Sequence, residues 1–306
     1  MTQYVPASLI ARTQTMSVSE QLYSGVRYFD MRTKTKNGEL IGVHGVTECK
    51  ESYGLFSKTL ILKDVVEICK SFLSENSKET VLFLLRSEGE DGTALFSKFY
   101  DDCIAPSPES WFIENRIPTL SEVRGKIVLL RSAEADRERF DNTNSGINFE
   151  KYPYVGSTDA GDFRTCAISD ISGYPYAHMY VQDSYKLEGD KKIEAIKNFL
   201  ESDLDMHDFN ICCTNAAAAR PAQMNAQRIN AFLMSYDFTA GKTYGIIAMD
   251  FATAELCKKV YMTNSPLMTE EPAQTNIPSF PEKYGFMGRV LEAFRDAFLK
   301  ILLMFI

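Results

Sequence analysis

Three polar side chains stand at spacings that would let them act together. In Val26-Arg-Tyr-Phe-Asp-Met-Arg32 a carboxylate and a guanidinium lie two residues apart, and Leu40-Ile-Gly-Val-His44 ends on an imidazole followed by Gly45. Both runs have the composition of strands. Side chains on a strand alternate faces, so Val26, Tyr28, Asp30 and Arg32 share one side and Arg27, Phe29 and Met31 the other, with Asp30 and Arg32 about 7 Å apart. A guanidinium can fork onto phosphate oxygens, a neighbouring carboxylate can hold it or a histidine in place, and an imidazole can hand a proton to a departing oxygen. Arginine, carboxylate and histidine in one mouth are the parts that phosphodiester cleavage needs without a metal ion. Taken singly, each has a plainer reading: Asp30 with Arg32 as a structural ion pair, and His44 as a hydrogen-bonded residue at a strand end.

The elements that must position these groups are legible as short apolar runs that close on polar or charged residues. Besides 26–32 and 40–44 they are Val81-Leu-Phe-Leu-Leu-Arg86, Ile127-Val-Leu-Leu-Arg131, Met179-Tyr-Val-Gln-Asp183, Phe209-Asn-Ile-Cys-Cys-Thr214 and Tyr244-Gly-Ile-Ile-Ala-Met-Asp250. Such runs fit strands buried on both faces. Helical stripes separate several of them: Val65, Val66, Ile68, Cys69, Phe72 and Leu73 over 62–74, and Ile193, Ile196 and Leu200 over 190–203. Strands alternating with helices predict a parallel sheet, and strands with charge at every C-terminal end predict a barrel whose site lies at that end. Seven such strands are found where a barrel wants eight, and no strand is read before residue 20.

Composition narrows the classes. The chain of 306 residues carries a formal charge of −8, a poor match to a nucleic-acid backbone but no obstacle to one local cationic pocket. The seven cysteines form no CxxC pair and several lie in apolar runs, which predicts buried free thiols. Three histidines without ligand spacing give no zinc site. Residues 1–20 lack the basic start and apolar block of a signal peptide, and no run reaches the ~18 apolar residues of a membrane span. Residues 1–262 read as the barrel. Residues 263–283, with Pro266, Pro272, Pro278 and Pro281, read as a linker. Residues 284–306 carry Phe286, Val290, Leu291, Phe294, Phe298 and Ile301 at helical spacing. That helix could lie on a membrane surface or pack on the body.

Gln21-Leu-Tyr-Ser-Gly-Val-Arg-Tyr-Phe-Asp-Met-Arg32 followed by Val43-His-Gly45 resembles the catalytic X-box of phosphatidylinositol-specific phospholipases C, in the bacterial form. Phe72–Val81, Ile117–Arg131, Val181–Lys186 and Gly245–Phe251 resemble later family segments in the right order, over residues 12 to 260. The resemblance implies a distorted TIM barrel and cleavage of an inositol-lipid phosphodiester by the inositol 2-hydroxyl, giving diacylglycerol and cyclic inositol phosphate. It implies His44 as general acid, Arg32 on the phosphate in place of a metal, and Asp30 orienting Arg32 or a histidine. Arg86, Glu88, Arg131 and Asp183 would contact the inositol, Tyr185 would stack on its ring, and Asp250 would orient a general base. No cofactor is implied. The implied partners are an inositol phospholipid or a glycosylated inositol-lipid anchor at a membrane surface, and the implied location is outside the cell or at its surface. The family's first strand, with the histidine that serves as base, would precede Ala11-Arg-Thr-Gln14, and the expectation is that it is missing from this chain. Two alternatives stay open: a barrel that binds inositol head groups without turnover, and, ranked below because Arg32 would repel the ion, a metal-dependent glycerophosphodiesterase.

Overall fold

In the computed structural model, which describes residues 11–50, 58–89, 91–152, 164–167, 178–216 and 221–267, the short helix α1 (Val18–Tyr23) leads into the strand that carries Asp30 and Arg32. Ser17 caps α1: its side chain accepts from the Glu20 amide while the Glu20 carboxylate takes the Ser17 amide. Strand β1 (Tyr28–Lys36) then turns back as β2 (Glu39–His44), and β3 (Thr47–Glu48) follows. Asn37 and Gly38, with φ of 51° and 81°, make the tight two-residue turn whose backbone both residues tolerate. This corrects the all-parallel expectation. β1 and β2 pair antiparallel from Thr33 opposite Gly42 to Lys36 opposite Glu39. A two-residue link cannot provide the crossover of a dozen residues that parallel pairing requires. The Leu40–His44 run is therefore the return arm of a hairpin and not a barrel strand of its own.

The remaining elements are α2 (Leu62–Glu75), β4 (Val81–Ser87), α3 (Gly92–Phe99), β5 (Trp111–Phe112), α4 (Leu120–Val123), β6 (Ile127–Arg131), β7 (Ile147–Asn148), β8 (Arg164–Ala167), β9 (His178–Gln182), α5 (Gly189–Glu201), β10 (Phe209–Cys213), α6 (Ala222–Ser235), β11 (Ile246–Ala248) and α7 (Ala254–Tyr261). One sheet runs β3-β2-β1-β4-β6-β5 with β7 also on β6, and a second runs β11-β10-β9-β8. β1, β4 and β6 are parallel, as are β9, β10 and β11. The last strand is shorter than the apolar run 244–250 that announced it.

Alternation along these strands builds three cores. Leu84, Val128, Leu130, Ile147, Met179, Val181, Ile211 and Cys213, drawn from both sheets, pack together with Phe149 and Tyr152, and Tyr28, Leu82, Phe209, Ile246 and Ala248 join them. The residues between them face outward. Phe29, Met31, Phe83, Leu85 and Leu129 lie against α1, α2 and α3. Cys212, Ile247 and Met249 lie against α5, α6 and α7. One shared interior with helices outside it is the plan of a (β/α) barrel, although among the described residues the ladders remain two open sheets.

Residues 11–14 bridge the end of β11 to the end of β2. Gln14 Nε2 donates to the Met249 carbonyl at 2.7 Å, the Phe251 amide to the Thr13 carbonyl at 2.6 Å, and the Ala252 amide to Gln14 Oε1 at 3.3 Å. The six described cysteines are free and buried, in line with the sequence. A 3-10 turn, Met262–Leu267, takes up the first residues of the Pro-rich segment. Its remainder and the helix expected over 284–306 lie outside the described residues.

Candidate active site

Strand parity decides what reaches the mouth. The interior positions Tyr28, Leu82 and Leu84, Met179 and Val181, and Ile246 and Ala248 are followed, two residues further on, by Asp30, Arg86, Asp183 and Asp250. Each strand thus carries apolar side chains inside the barrel and a charged one where the barrel ends.

Arg86 is 2% exposed. Its Nε lies 2.9 Å from Asp30 Oδ1 and its guanidinium 4.2 Å over the Tyr152 ring. Asp30 therefore engages Arg86 and not the Arg32 or histidine that was expected, and Arg86, expected to contact inositol, is buried in this pair. The carboxylate that pairs with Arg32 is Glu88, at 3.9 Å, beyond hydrogen-bond length. Both are about a third exposed at the rim, and the Glu88 amide is held by the Thr33 carbonyl at 2.9 Å.

His44 is half-buried and its Nδ1 lies 2.7 Å from the Ala11 carbonyl. A carbonyl can only accept, so Nδ1 carries the hydrogen and Nε2 is the atom presented to a ligand. Burial lowers the imidazole from its usual range, the Ala11 carbonyl partly restores it, and the Arg32 charge lowers it further. Arg32 and His44 thus feel one another's charge.

Asp183 is buried, and burial pushes its carboxyl up to about 6 against the pull of Lys192 and Arg86. Asp250 is half-buried; burial carries it to about 7 against Lys192 and Arg32. Tyr185 follows in the turn after β9, half-buried, with its amide on the Asp183 carbonyl at 2.9 Å.

Arg131 does not join this group. Leu130 takes the inward position of β6, so the next residue points out toward α3, 5.3 Å from the Phe96 ring. It is fully buried there, donating to the Ser145 carbonyl at 2.7 Å, to the Ala133 carbonyl, and to Glu150 at 2.5 Å. His178 begins β9 and His207 precedes β10, both at the barrel end away from the mouth.

One charged residue behind the mouth was not singled out in the sequence. Lys192, fully buried in the first turn of α5, donates to Gln182 Oε1 at 3.0 Å and to the Ser184 carbonyl at 3.3 Å. The signal was present: Lys192 falls on the same helical stripe as Ile196 and Phe199, where a lysine is out of place.

Residues 2–133 match the sequence profile described as "Phosphatidylinositol-specific phospholipase C, X domain". The match covers less than half of the chain, and over that stretch the chain is similar to the X domain of these phospholipases. Two relatives are each named 1-phosphatidylinositol phosphodiesterase. That of Listeria monocytogenes is 24% identical over 261 residues, covering 83% of this chain and 73% of its own. That of Staphylococcus aureus is 28% identical over 203 residues, covering 63% of this chain and 58% of its own. The solved phosphatidylinositol-specific phospholipase C of S. aureus superposes with a TM-score of 0.63 at 20% identity, covering 82% and 85% of the two chains. That of L. monocytogenes gives 0.60 at 22% identity, covering 84% and 85%. At these identities the superpositions establish the fold alone.

Proposed function

We propose that the chain cleaves phosphatidylinositol-type lipids, with the inositol 2-hydroxyl attacking phosphorus and displacing diacylglycerol to leave a cyclic inositol phosphate. The observation that carries this reading is the meeting of His44, Arg32, Asp183 and Asp250 at one barrel end, with His44 turned so that Nε2 is presented to a ligand. Arg32 binds the phosphate oxygens and supplies the positive charge that the family's metal-dependent members draw from a cation. Bound phosphate offsets the Arg32 charge that lowers His44, so the substrate itself helps His44 hold the proton it delivers to the diacylglycerol oxygen. Asp183 takes inositol hydroxyls and Tyr185 lies along the ring. Asp250 serves the proton leaving the 2-hydroxyl, because a carboxyl near 7 can accept at neutral pH. The substrate is an inositol phospholipid or a glycosylated inositol-lipid anchor, met at a membrane surface outside the cell. Among the described residues no helix is long and apolar enough to cross a membrane.

The test is turnover of phosphatidylinositol vesicles by the full chain against His44→Ala, with cyclic inositol phosphate measured. Removing a general acid costs roughly 10²–10⁴-fold in kcat. Equal rates for the two proteins sink the assignment. No turnover by the parent, with myo-inositol still bound, would instead favour a head-group-binding barrel, a reading supported by the position of His178 and His207 away from the mouth.

A further inference from the structure

The buried charge behind the mouth carries the next step. Lys192 lies at the N-terminal end of α5, where the helix dipole disfavours a cation, and it is fully withdrawn from water. Neither circumstance helps folding, and an apolar side chain of similar length would suit the stripe it occupies. What it touches is specific. Gln182 Oε1 accepts from both Lys192 Nζ and the Ser184 amide, each at 3.0 Å, while Gln182 Nε2 donates to the Cys213 carbonyl at 3.0 Å. Lys192 also reaches the Ser184 carbonyl. Its contacts fall on the two residues flanking Asp183, and the network ties that flank to β10.

We infer that Lys192 is a positioning residue for the inositol-binding wall: it fixes the Gln182–Ser184 segment so that Asp183 faces the mouth. This rests on the pocket reading above for the ligand, but the lysine's effect on the two carboxyls can be measured without any ligand. Among the described residues, the groups that face Asp183 are Lys192 from α5, Arg86 from β4, and Asp30 and Arg32 from β1; those that face Asp250 are Lys192 and Arg32. Burial lowers the Lys192 ammonium, and Cys212, Cys213, Asp183 and Asp250, which face it, act to raise it. Lys192 is the cation common to both carboxyls that comes from outside the phosphate-binding strand, and both carboxyls already sit close to neutrality. Loss of its charge raises both.

The experiment compares the full chain with Lys192→Met and Lys192→Arg. The carbon-13 resonances of labelled aspartate are titrated, with Asp183→Asn and Asp250→Asn assigning the two signals. Lys192→Met is expected to raise both midpoints by about one pH unit or more, and Lys192→Arg to leave them near the parent's. A rise of one unit from about 6 takes the ionised fraction of Asp183 at pH 7 from roughly nine-tenths to about one half, so myo-inositol affinity at neutral pH falls about twofold in Lys192→Met while the urea midpoint holds or rises. Unmoved midpoints with unmoved affinity overturn the proposal, as does a drop in stability alone. A parent chain that binds no myo-inositol refutes the pocket reading, and the carboxyl titrations then still decide the role of Lys192. Should Lys192→Met fail to fold, Gln182→Met, which cuts the link and keeps the lysine, is expected to weaken myo-inositol binding; parent-like affinity in that variant overturns the proposal.

Discussion

Asp30→Asn isolates the ion pair at the floor of the mouth. The substitution keeps the shape of the side chain and removes the charge that faces Arg86 at 2.9 Å. Removing one partner of a buried ion pair costs roughly 3–5 kcal/mol where water is excluded. The Asp30 side chain is 33% exposed, so water screens its half of the pair, while the Tyr152 ring continues to cover the guanidinium. The expected loss is therefore below that range, about 2 kcal/mol. With a urea slope of about 3 kcal/mol/M the unfolding midpoint falls by about 0.7 M. Arg86→Met removes the stranded charge, so the double variant Asp30→Asn/Arg86→Met recovers much of the loss, and the double-mutant cycle returns a coupling of about 2 kcal/mol. A midpoint unchanged in Asp30→Asn, or two single losses that simply add, would refute the reasoning.

Arg131→Met should lower stability by about 2–4 kcal/mol, since it leaves the Ser145 and Ala133 carbonyls without their donor, yet leave KM for phosphatidylinositol unchanged because the residue faces α3; a raised KM with normal stability would return it to the site. Asp183 and Asp250 have folded-state values of about 6 and about 7 against 3.8 for an ordinary aspartate. The folded chain thus binds more protons than the unfolded one across that interval. The stability they contribute is complete below about 4 and is lost as pH rises toward 7. Urea midpoints measured from pH 4.5 to 7.5 should fall from this cause, and Asp183→Asn or Asp250→Asn should each flatten the fall; a variant with the parent's slope contradicts the assignment.

What the sequence disclosed follows from which forces are local. Alternation along Tyr28–Arg32 told which side chains share a face, because pleating is a property of the strand alone. The same rule, applied to Ile127–Arg131, would have turned Arg131 away from the interior; reading a charge at a strand end as a mouth residue overlooked it. Asn37-Gly38 carried the hairpin signal and was read through, so a return arm was counted as a barrel strand. The partner of Asp30 could not be read. Arg86 is opposite Arg32 in the β1–β4 register, and only the staggered geometry of two strands distant in sequence brings its guanidinium down to Asp30. Lys192 was visible as a polar residue on an apolar stripe, but its partners lie on β9 and in the turn beyond it, ten and eight residues earlier.

The bridge formed by residues 11–14 has a consequence for where this protein opens. Within each of the two sheets, ladders zip one strand to the next. Along residues 11–14 the links are single hydrogen bonds from Ala11, Thr13 and Gln14 to His44, Met249, Phe251 and Ala252. Local opening takes the path of fewest bonds, so amide hydrogen exchange begins at this seam before the ladders fray. The seam also holds the imidazole by its Nδ1. Each opening of the seam breaks that bond and frees the His44 ring to rotate.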